Sequence, residues 1–378
     1  MAGIYIHIPF CRQACHYCDF HFSTNLSKQE EIVDAIALEI EERKAYLKED
    51  VQTIYFGGGT PSLLSSAQLE KLIKAVLDNY NVSETAEITL EANPEDLTNG
   101  HAKSIHQLGV NRLSIGIQTF DEQKLQWMNR IHSSDEARTA FEYARSAGFQ
   151  NISLDLIYAI PDHNREAWQQ DLNQITKMNP EHISLYGLTI EDKTVFGKWE
   201  RENKLIQVPE DEAAAQYLFA IDFLKSKGYR QYEVSNFGKD GCHSRHNHAY
   251  WAGVPYIGVG PGAHSFDGAF TRSFNVRNNA KYLKAINEKL EYTEKEQLSE
   301  IQRINERILT ELRTANGIDL KALAKLSGAN IAEIHSGFLK QMADQNLIEL
   351  TNDNLRLLPQ GFLVADEVAL RLFFSEGE

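Results

Sequence analysis

The fold of the chain is decided by residues 4–18, whose sequence is IYIHIPFCRQACHYC. Apolar and polar residues alternate from Ile4 to Ile8, which predicts a short strand that ends at Pro9. Three cysteines lie close together on the loop that follows: Cys11, Cys15 and Cys18. The stretch therefore predicts a β-strand that carries a group of thiols at its carboxyl end.

Strand and helix patterns alternate from this point along the first 228 residues. The predicted strands are residues 4–8, 52–56, 87–91, 112–118, 151–157 and 182–188. The predicted helices are residues 28–47, 67–77, 95–107, 135–147, 165–178 and 210–227. Such alternation predicts an α/β protein with a parallel sheet, and an unbroken run of units favours a barrel, complete or partial. The strands are expected to be apolar because helices cover both faces of such a sheet.

The composition is that of an ordinary globular protein. The 378 residues, 42% of them apolar and 24% charged, suit about two compact domains. No apolar run approaches the ~20 residues of a membrane helix, and the first ten residues lack the basic region of a signal peptide. The net charge of −15 opposes nucleic acid or anionic lipid as the main partner. A cytoplasmic protein is therefore expected.

A second, smaller region is predicted at the carboxyl end. Helix patterns cover residues 304–312, 320–326, 332–342 and 362–373, with a short hairpin from 347–350 and 355–358. This order suggests a winged-helix-like α+β module. Residues 319–378 hold five Lys or Arg against nine Asp or Glu, so no nucleic-acid binding is expected of it. The predicted domains are residues 1–235, a connecting segment 236–300, and residues 301–378.

The chain has only four cysteines, and their spacing points to a metal centre rather than to disulfides. A chain of this length needs no disulfide staples, and cytoplasmic thiols stay reduced. Three thiolates in a C-x3-C-x2-C pattern can hold three irons of a [4Fe–4S] cluster and leave the fourth iron open. The alternative is a zinc site completed by His16, His21 or Cys242.

Polar residues stand at the carboxyl end of nearly every predicted strand, where parallel sheets bind their ligands. Besides the cysteine loop, they are Gly57, Gly58, Gly59, Thr60, Glu91, Gln118, Asp155 and Tyr186. Glycines let backbone groups approach a polar ligand closely, and a carboxylate at a strand end suits ribose hydroxyls. Taken singly, the glycines also fit a tight turn and Glu91 an ion pair at the rim. Taken together, these residues predict one site.

The cysteine loop in IHIPFCRQACHYCDF resembles that of radical S-adenosylmethionine (SAM) enzymes, whose cluster motif is CxxxCxxC. The segments GGGTP, EANP and GIQTF also match this family. Within it the chain resembles, over nearly its whole length, the group of oxygen-independent coproporphyrinogen III oxidases and HemW-type haem chaperones. The resemblance implies a partial (β/α)6 radical SAM barrel, a [4Fe–4S] cluster on the three cysteines, and SAM bound at the open iron.

The resemblance also implies roles for single residues. The triple glycine would serve the methionine end of SAM, and Tyr5, Gly58 and Glu91 match positions that contact a first SAM molecule. Positions that contact a second SAM in the oxidases are matched by Tyr17, Gly59, Thr60, Gln118, Arg130 and Asp155. The alternative for the last two is a simple salt bridge between Arg130 and Asp155.

The segment HNHAYW, residues 246–251, resembles the HNxxYW motif of the haem chaperones. With His243 and Arg245 before it, the segment offers imidazoles for iron, a guanidinium for propionates and aromatic rings for a porphyrin. The predicted haem-binding residues are His246, His248, Tyr250 and Trp251, with His246 preferred as iron ligand and His248 and His243 as its competitors. The alternative is a polar loop over the barrel mouth. His264 is a further candidate near the SAM site.

Two departures from the oxidases favour the chaperones. The oxidases carry a further cysteine two positions after the third cluster ligand, where this chain has Phe20, and they have a longer extension before the first strand. The sequence therefore predicts a protein that binds haem and passes it to a recipient haemoprotein, with respiratory enzymes at the cytoplasmic face of the membrane as expected recipients. A coproporphyrinogen III oxidase and a structural zinc protein are the alternatives. A homodimer formed through the cluster loop is compatible with the sequence.

Overall fold

Six parallel strands form the centre of the fold. The computed structural model describes residues 1–375. The strands are β1 (Ala2–Ile8), β2 (Val51–Gly58), β3 (Val82–Ala92), β4 (Arg112–Gln118), β5 (Asn151–Tyr158) and β6 (His182–Gly187). They lie side by side in sequence order, and each pairs in parallel with the next. The α/β class and the parallel sheet are therefore confirmed.

Helices connect these strands. They are α1 (Gln29–Glu42), α2 (Ser66–Asn79), α3 (Asn99–Gln107), α4 (Glu122–Trp127), α5 (Ser134–Ala147), α6 (Arg165–Met178), α7 (Val195–Arg201) and α8 (Glu210–Ser226). Capping boxes begin α2 and α5, formed by Ser65 with Gln68 and by Ser133 with Glu136. The sequence predicts neither α4 nor α7, because helices of six or seven residues show too little apolar periodicity.

Two predicted helices are shorter than expected. The helix predicted over residues 28–47 ends at Glu42, and that predicted over 95–107 is a 3₁₀ turn (Pro94–Asp96) followed by α3. The side chain of Thr98 accepts a hydrogen bond from the N–H of His101 and so starts α3 afresh. The helix begins after the N-cap residue Thr98. Apolar periodicity does not detect this cap and therefore predicts a start that is too early.

The inner face of the strands is polar, and the prediction that the strands are apolar on both faces is wrong. In β1, Ile4, Ile6 and Ile8 are fully buried in the hydrophobic core, while the alternate residues belong to the opposite face. That opposite face forms a polar interior, here called the lumen, which includes Tyr5, Thr53, Tyr55, Glu87, Thr89, Glu91, Arg112, Ser114, Ser153, Asp155, His182 and Ser184. Most polar groups there pair with one another, which makes their burial tolerable; the hydroxyl of Thr89 and the Nε of Arg112 have no partner.

Residues 229–300 are part of the same sheet and not merely a long connection as the sequence suggests. Strands β7 (Arg230–Gln231) and β8 (Asn236–Gly238) extend it beyond β6, and β9 (Tyr256–Val259) pairs in parallel with β1. Strands β10 (His264–Phe266), β11 (Thr271–Asn275) and β12 (Thr293–Gln297) continue the sheet beyond β9. Helix α9 (Arg245–Trp251) lies between β8 and β9 in the chain, and helix α10 (Asn279–Glu288) lies between β11 and β12. The division at residues 235 and 300 stays a prediction.

A buried carboxylate attaches this segment to α1. Glu39 is fully buried and accepts hydrogen bonds from Arg43, Asn275 and Tyr282, at 2.8, 2.7 and 2.6 Å. Its second oxygen also accepts the N–H of Gly260 at 2.8 Å. A buried carboxylate needs several such donors. These bonds hold the segment from β9 to α10 in place against helix α1.

A small antiparallel sheet with helices forms the carboxyl-terminal module. Its elements are α11 (Glu300–Leu312), β13 (Ile318–Asp319), α12 (Leu320–Ser327), α13 (Ile331–Ile334), α14 (Ser336–Asp344), β14 (Ile348–Leu350), β15 (Asn354–Leu357) and α15 (Ala365–Arg371). The predicted helix 332–342 is divided at His335, and β13 is a strand too short to predict. The last three residues of the predicted domain 301–378 lie outside the described residues. Within residues 1–375, no helix has the length and apolar character to cross a membrane.

Candidate functional site

A cavity of about 480 Å³ opens at the carboxyl ends of the central strands. Eleven of the predicted site residues line it: Cys11, Cys15, Tyr17, Cys18, Gly58, Gly59, Thr60, Glu91, Gln118, Arg130 and Asp155. Tyr186 at the end of β6 lines it as well. The carboxyl ends of parallel strands meet at one rim, so residues far apart in sequence converge there.

The cysteine loop forms one wall of this cavity. The N–H of Cys11 donates to the carbonyl of Ser23 at 3.1 Å, and the hydroxyl of Thr60 donates to Cys11 Sγ at 3.3 Å. Burial raises the pKa of Cys11 to about 12 and that of Cys18 to about 11. Both thiols are therefore protonated at neutral pH in the metal-free chain, and iron must displace these protons when it binds.

The donor set of this loop fits a four-iron cluster with one open iron, since three thiols share one loop and face a cavity that can admit a further ligand. The histidines of the zinc alternative have other partners: His16 Nδ1 donates to the carbonyl of Trp127, and His21 Nε2 lies 2.8 Å from Asn279 Oδ1. Among the described residues, no three His, Cys, Asp or Glu side chains are grouped so as to hold a single metal ion.

Hydrogen bonds from Arg130 connect the cysteine loop to the ends of the central strands. Its Nη1 donates to Cys15 Sγ at 3.4 Å, and its Nη2 donates to Asn93 Oδ1 at 2.8 Å. Asp155 accepts hydrogen bonds from serines of β4 and β5, so the alternative salt bridge between Arg130 and Asp155 is not formed. The Nη2 of Arg130 also donates to the carbonyl oxygen of Gly116 at 2.9 Å, so Arg130 holds Cys15 close to the end of β4.

The glycines after β2 are required by close packing. A Cβ on Gly58 would lie 2.6 Å from the His7 ring, and Gly58 has φ +110°, a conformation that L side chains rarely adopt. A Cβ on Gly59 would lie 2.6 Å from the carbonyl oxygen of Phe10. The loop can therefore lie against the strand that carries the cysteines, with its backbone turned to the cavity.

Two carboxylates line the cavity. Glu91 accepts from Tyr55 Oη at 2.8 Å and from the N–H of Gly58 at 3.2 Å. Burial raises the pKa of Glu91 to about 7, since the hydrogen bond from Tyr55 only partly offsets it and nearby Asp155 adds to it. Burial also raises the pKa of Asp155, although the hydrogen bond from Ser184 opposes this. These acids can accept hydrogen bonds from hydroxyl groups of a ligand.

Three residues that the sequence predicts at or near the SAM site lie outside the cavity lining. Tyr5 packs below it, with Oη 3.1 Å from His7 Nδ1 and the ring 6.1 Å from that of Tyr55. A Cβ on Gly57 would lie 2.9 Å from Tyr5 and 3.0 Å from Tyr55, so Gly57 makes room for these rings. His264 is exposed on β10, against Phe274.

The HNHAYW segment forms α9 and lies at the opposite, amino-terminal end of the lumen. Glu87, near the amino end of the inner face of β3, accepts from the N–H groups of Arg245 and His246 at 3.0 and 3.2 Å. The ring of His246 packs on Gly3 and Thr53, among the first residues of β1 and β2. The segment is therefore not a loop over the mouth that holds the cysteines.

His246 is a poor iron ligand in this geometry, contrary to the preference drawn from the sequence. Its Nδ1 lies 2.8 Å from Thr53 Oγ1 and its Nε2 lies 2.9 Å from Tyr250 Oη. The residue is 1% exposed, and burial lowers its pKa to about 3. An imidazole binds iron through a free nitrogen, and both of these are engaged. His248 and His243 are exposed.

Sequence reasoning gave no role to Tyr55 and Asn93. Tyr55 bonds to Glu91 and stacks on His246 with ring centroids 4.9 Å apart. Asn93 joins Arg130 to Thr60, whose Oγ1 lies 3.4 Å from its Nδ2. The alternation of β2 was the available signal for Tyr55, since it shares a face with Gly57.

Similarity to known proteins extends over almost the whole chain. Residues 5–175 match the Radical SAM superfamily, and residues 298–364 match the HemN C-terminal domain. The chain is 36% identical to the heme chaperone HemW of Bacillus subtilis, over 97% of this chain and 98% of that protein. It is 37% identical to the heme chaperone HemW of Escherichia coli, over 73% and 74% of the two chains. The chain belongs to the HemW family.

The fold of this HemW family member is that of a solved radical SAM enzyme. The coproporphyrinogen III oxidase HemN of Escherichia coli superposes with a TM-score of 0.84 over 98% of this chain and 90% of that chain, at 21% identity. As in radical SAM proteins generally, the cofactors of this HemW family member are a [4Fe–4S] cluster and SAM. When bound, they supply a redox centre and a cationic adenosyl ligand.

Proposed function

We propose that this protein is a haem chaperone that binds haem and passes it to recipient haemoproteins. The observation that carries the proposal is the likeness to named haem chaperones over almost the whole chain. The cavity at the cysteine loop adds a site that suits a cluster and SAM. Respiratory enzymes are the proposed recipients, reached from the cytoplasm with at most peripheral membrane contact. A homodimer is part of this proposal.

The proposed SAM contacts follow from the cavity lining. Gly58 and Glu91 contact a first SAM, with Tyr5 and Gly57 supporting them from below. The residues for a second SAM are Tyr17, Gly59, Thr60, Gln118, Arg130 and Asp155. Glu91 and Asp155 accept hydrogen bonds from hydroxyl groups, while the backbone of the glycine loop faces the methionine end. The three cysteines ligate three irons of the cluster.

For haem we propose His248 as the iron ligand, with His243 as its competitor. His248 is exposed on α9, two residues after the buried His246 and therefore on the opposite face of the helix. Tyr250 is held by its bond to His246, so this pair supports the helix. Arg245 is exposed on the same helix, where its guanidinium donates to the carbonyl of Thr85 and to Gln52 Oε1, so a propionate would have to replace these acceptors. Trp251 offers an aromatic surface.

This chain lacks a cysteine that the resemblance leads us to expect of a coproporphyrinogen III oxidase. Phe20 stands where the oxidases that the sequence resembles have a further cysteine. Its side chain lines the cavity and is 70% exposed. An exposed apolar ring therefore stands in the cavity lining in place of a thiol.

The test compares the two activities in one preparation. Anaerobically reconstituted protein is titrated with haem, and a parallel sample receives coproporphyrinogen III, SAM and reductant. The chaperone proposal expects about one haem per chain, transfer of that haem to an apo-haemoprotein, and no protoporphyrinogen. Efficient decarboxylation, or the absence of haem binding, would refute the proposal.

A further inference from the structure

Arg112 is a buried cation inside the lumen. It is the first residue of β4 and is 2% exposed. In the register of the sheet it stands beside Thr89 of β3 and Asn151 of β5. It therefore lies below the layer of Glu91 and Ser114, between the SAM cavity and α9.

The pairing of Arg112 is incomplete. Its Nε is buried and has no hydrogen-bond partner, and the guanidinium forms no ion pair with a carboxylate of residues 1–375. The buried hydroxyl of its neighbour Thr89 is also without a partner. An incompletely satisfied buried cation is costly to the folded state, so this position is not optimised for stability.

The surroundings of Arg112 indicate what it acts on. The inward carboxylates of the central strands are Glu87, Glu91 and Asp155, and Arg112 is the cation on the same face of these strands. Its positive charge lowers the pKa of Glu91 and of Asp155, against the burial that raises both. A carboxylate accepts hydrogen bonds from a ligand at all its lone pairs only when it is ionised.

We propose that Arg112 is a positioning residue of the SAM site, which holds Glu91 and Asp155 in the ionised form from below the cavity. It does so without touching SAM. This inference rests on the proposed role of Glu91 as a SAM contact.

Few other groups can titrate beside Glu91 near neutral pH. The charged or titratable side chains that face it are Tyr5 of β1, Tyr55 of β2, Arg112 of β4, Asp155 of β5, Tyr186 of β6 and Tyr250 of α9. Burial raises the pKa of each of these tyrosines above its usual value, so they stay neutral below pH 9. The two carboxyl groups therefore dominate the response of the site to pH.

The experiment measures SAM affinity against pH by calorimetry, on anaerobically reconstituted holoprotein. In the natural protein, affinity should rise with a midpoint near pH 7, as Glu91 ionises. Arg112→Met should move that midpoint up, by at most about one unit, because removing an opposite charge favours the protonated carboxyl. The variant should then bind up to about fivefold more weakly at pH 7 and nearly as tightly as the natural protein at pH 9.

Matched variants separate charge from structure. Arg112→Lys should restore the midpoint, and Arg138→Gln, which removes a half-buried guanidinium on α5 outside the cavity lining, should leave it unchanged. The amino group of SAM titrates alike in every sample. Should Arg112→Met fail to fold, Arg112→Gln takes its place. An unmoved midpoint, or an equal loss at every pH, overturns the inference.

The same titrations show a different result if Glu91 is not a SAM contact. If Glu91→Gln leaves SAM affinity unchanged at every pH, Glu91 is not a SAM contact and the inference falls with that assignment. If Glu91→Gln weakens binding while Arg112→Met leaves the midpoint in place, Arg112 alone is refuted.

Discussion

Tyr55 Oη donates a hydrogen bond of 2.8 Å to Glu91 Oε1. The same ring stacks on the buried imidazole of His246, with centroids 4.9 Å apart. One side chain thus touches a carboxylate that lines the cavity on one side and the buried histidine of α9 on the other. Tyr55 therefore connects the two ends of the lumen, through a hydrogen bond at one end and a ring stack at the other.

Tyr55→Phe should weaken SAM binding by up to about fivefold at pH 7, because the hydrogen bond from Tyr55 lowers the pKa of Glu91 and its loss leaves less of that carboxyl ionised. The ring and its stacking on His246 remain. Calorimetric titration of the reconstituted protein measures the effect. Tyr80→Phe, which loses a bond to the Arg43 carbonyl away from the cavity, serves as control. Equal affinities in both variants would contradict the role of Glu91 as a SAM contact.

Cys15→Ser should abolish the [4Fe–4S] cluster, since one of only three thiolates is lost and its Arg130 partner cannot compensate. Iron and sulfide analysis after anaerobic reconstitution should fall from about four irons per chain to near zero. Cys242→Ser should keep the full cluster. Bound zinc in the natural protein, with no iron uptake, would instead support the structural zinc alternative.

His248→Ala should lower haem affinity at least tenfold and change the Soret spectrum, because its imidazole is free to bind iron. His246→Ala should keep the spectrum but lower the free energy of unfolding by about 2–4 kcal/mol, through two lost hydrogen bonds and a small cavity. Haem titration and thermal denaturation separate the two effects. A changed Soret band in His246→Ala alone would return the ligand role to His246.

Glu233→Gln should stabilise the protein at alkaline pH. Burial raises the pKa of Glu233 from 4.5 to about 7, so folding favours its protonated form. The stability that this gives is complete below pH 4.5 and lost as the pH rises through 7. At pH 8 the variant should be more stable by up to about 3 kcal/mol, and at pH 4.5 it should match the natural protein. Calorimetry across this range measures the difference, and a constant offset would contradict the assignment.

Local patterns in the sequence were enough for the parallel sheet and for much of the cavity. Alternating residues, glycine turns and helix periodicity located β1 to β6, and strand ends named Glu91, Gln118 and Asp155 as neighbours. These inferences succeed because parallel strands place their carboxyl ends on one rim, whatever the details of packing.

The tertiary structure alone decided where the haem motif lies and what its first histidine does. The two histidines of α9 cannot be told apart by local sequence. In the structure His246 is enclosed by Thr53 of β2, Glu87 of β3 and Tyr250, whereas His248 is exposed to solvent. The polar lumen and its cation Arg112 were equally hidden. Contacts between residues more than a hundred positions apart depend on strand order and curvature, and no local pattern encodes either.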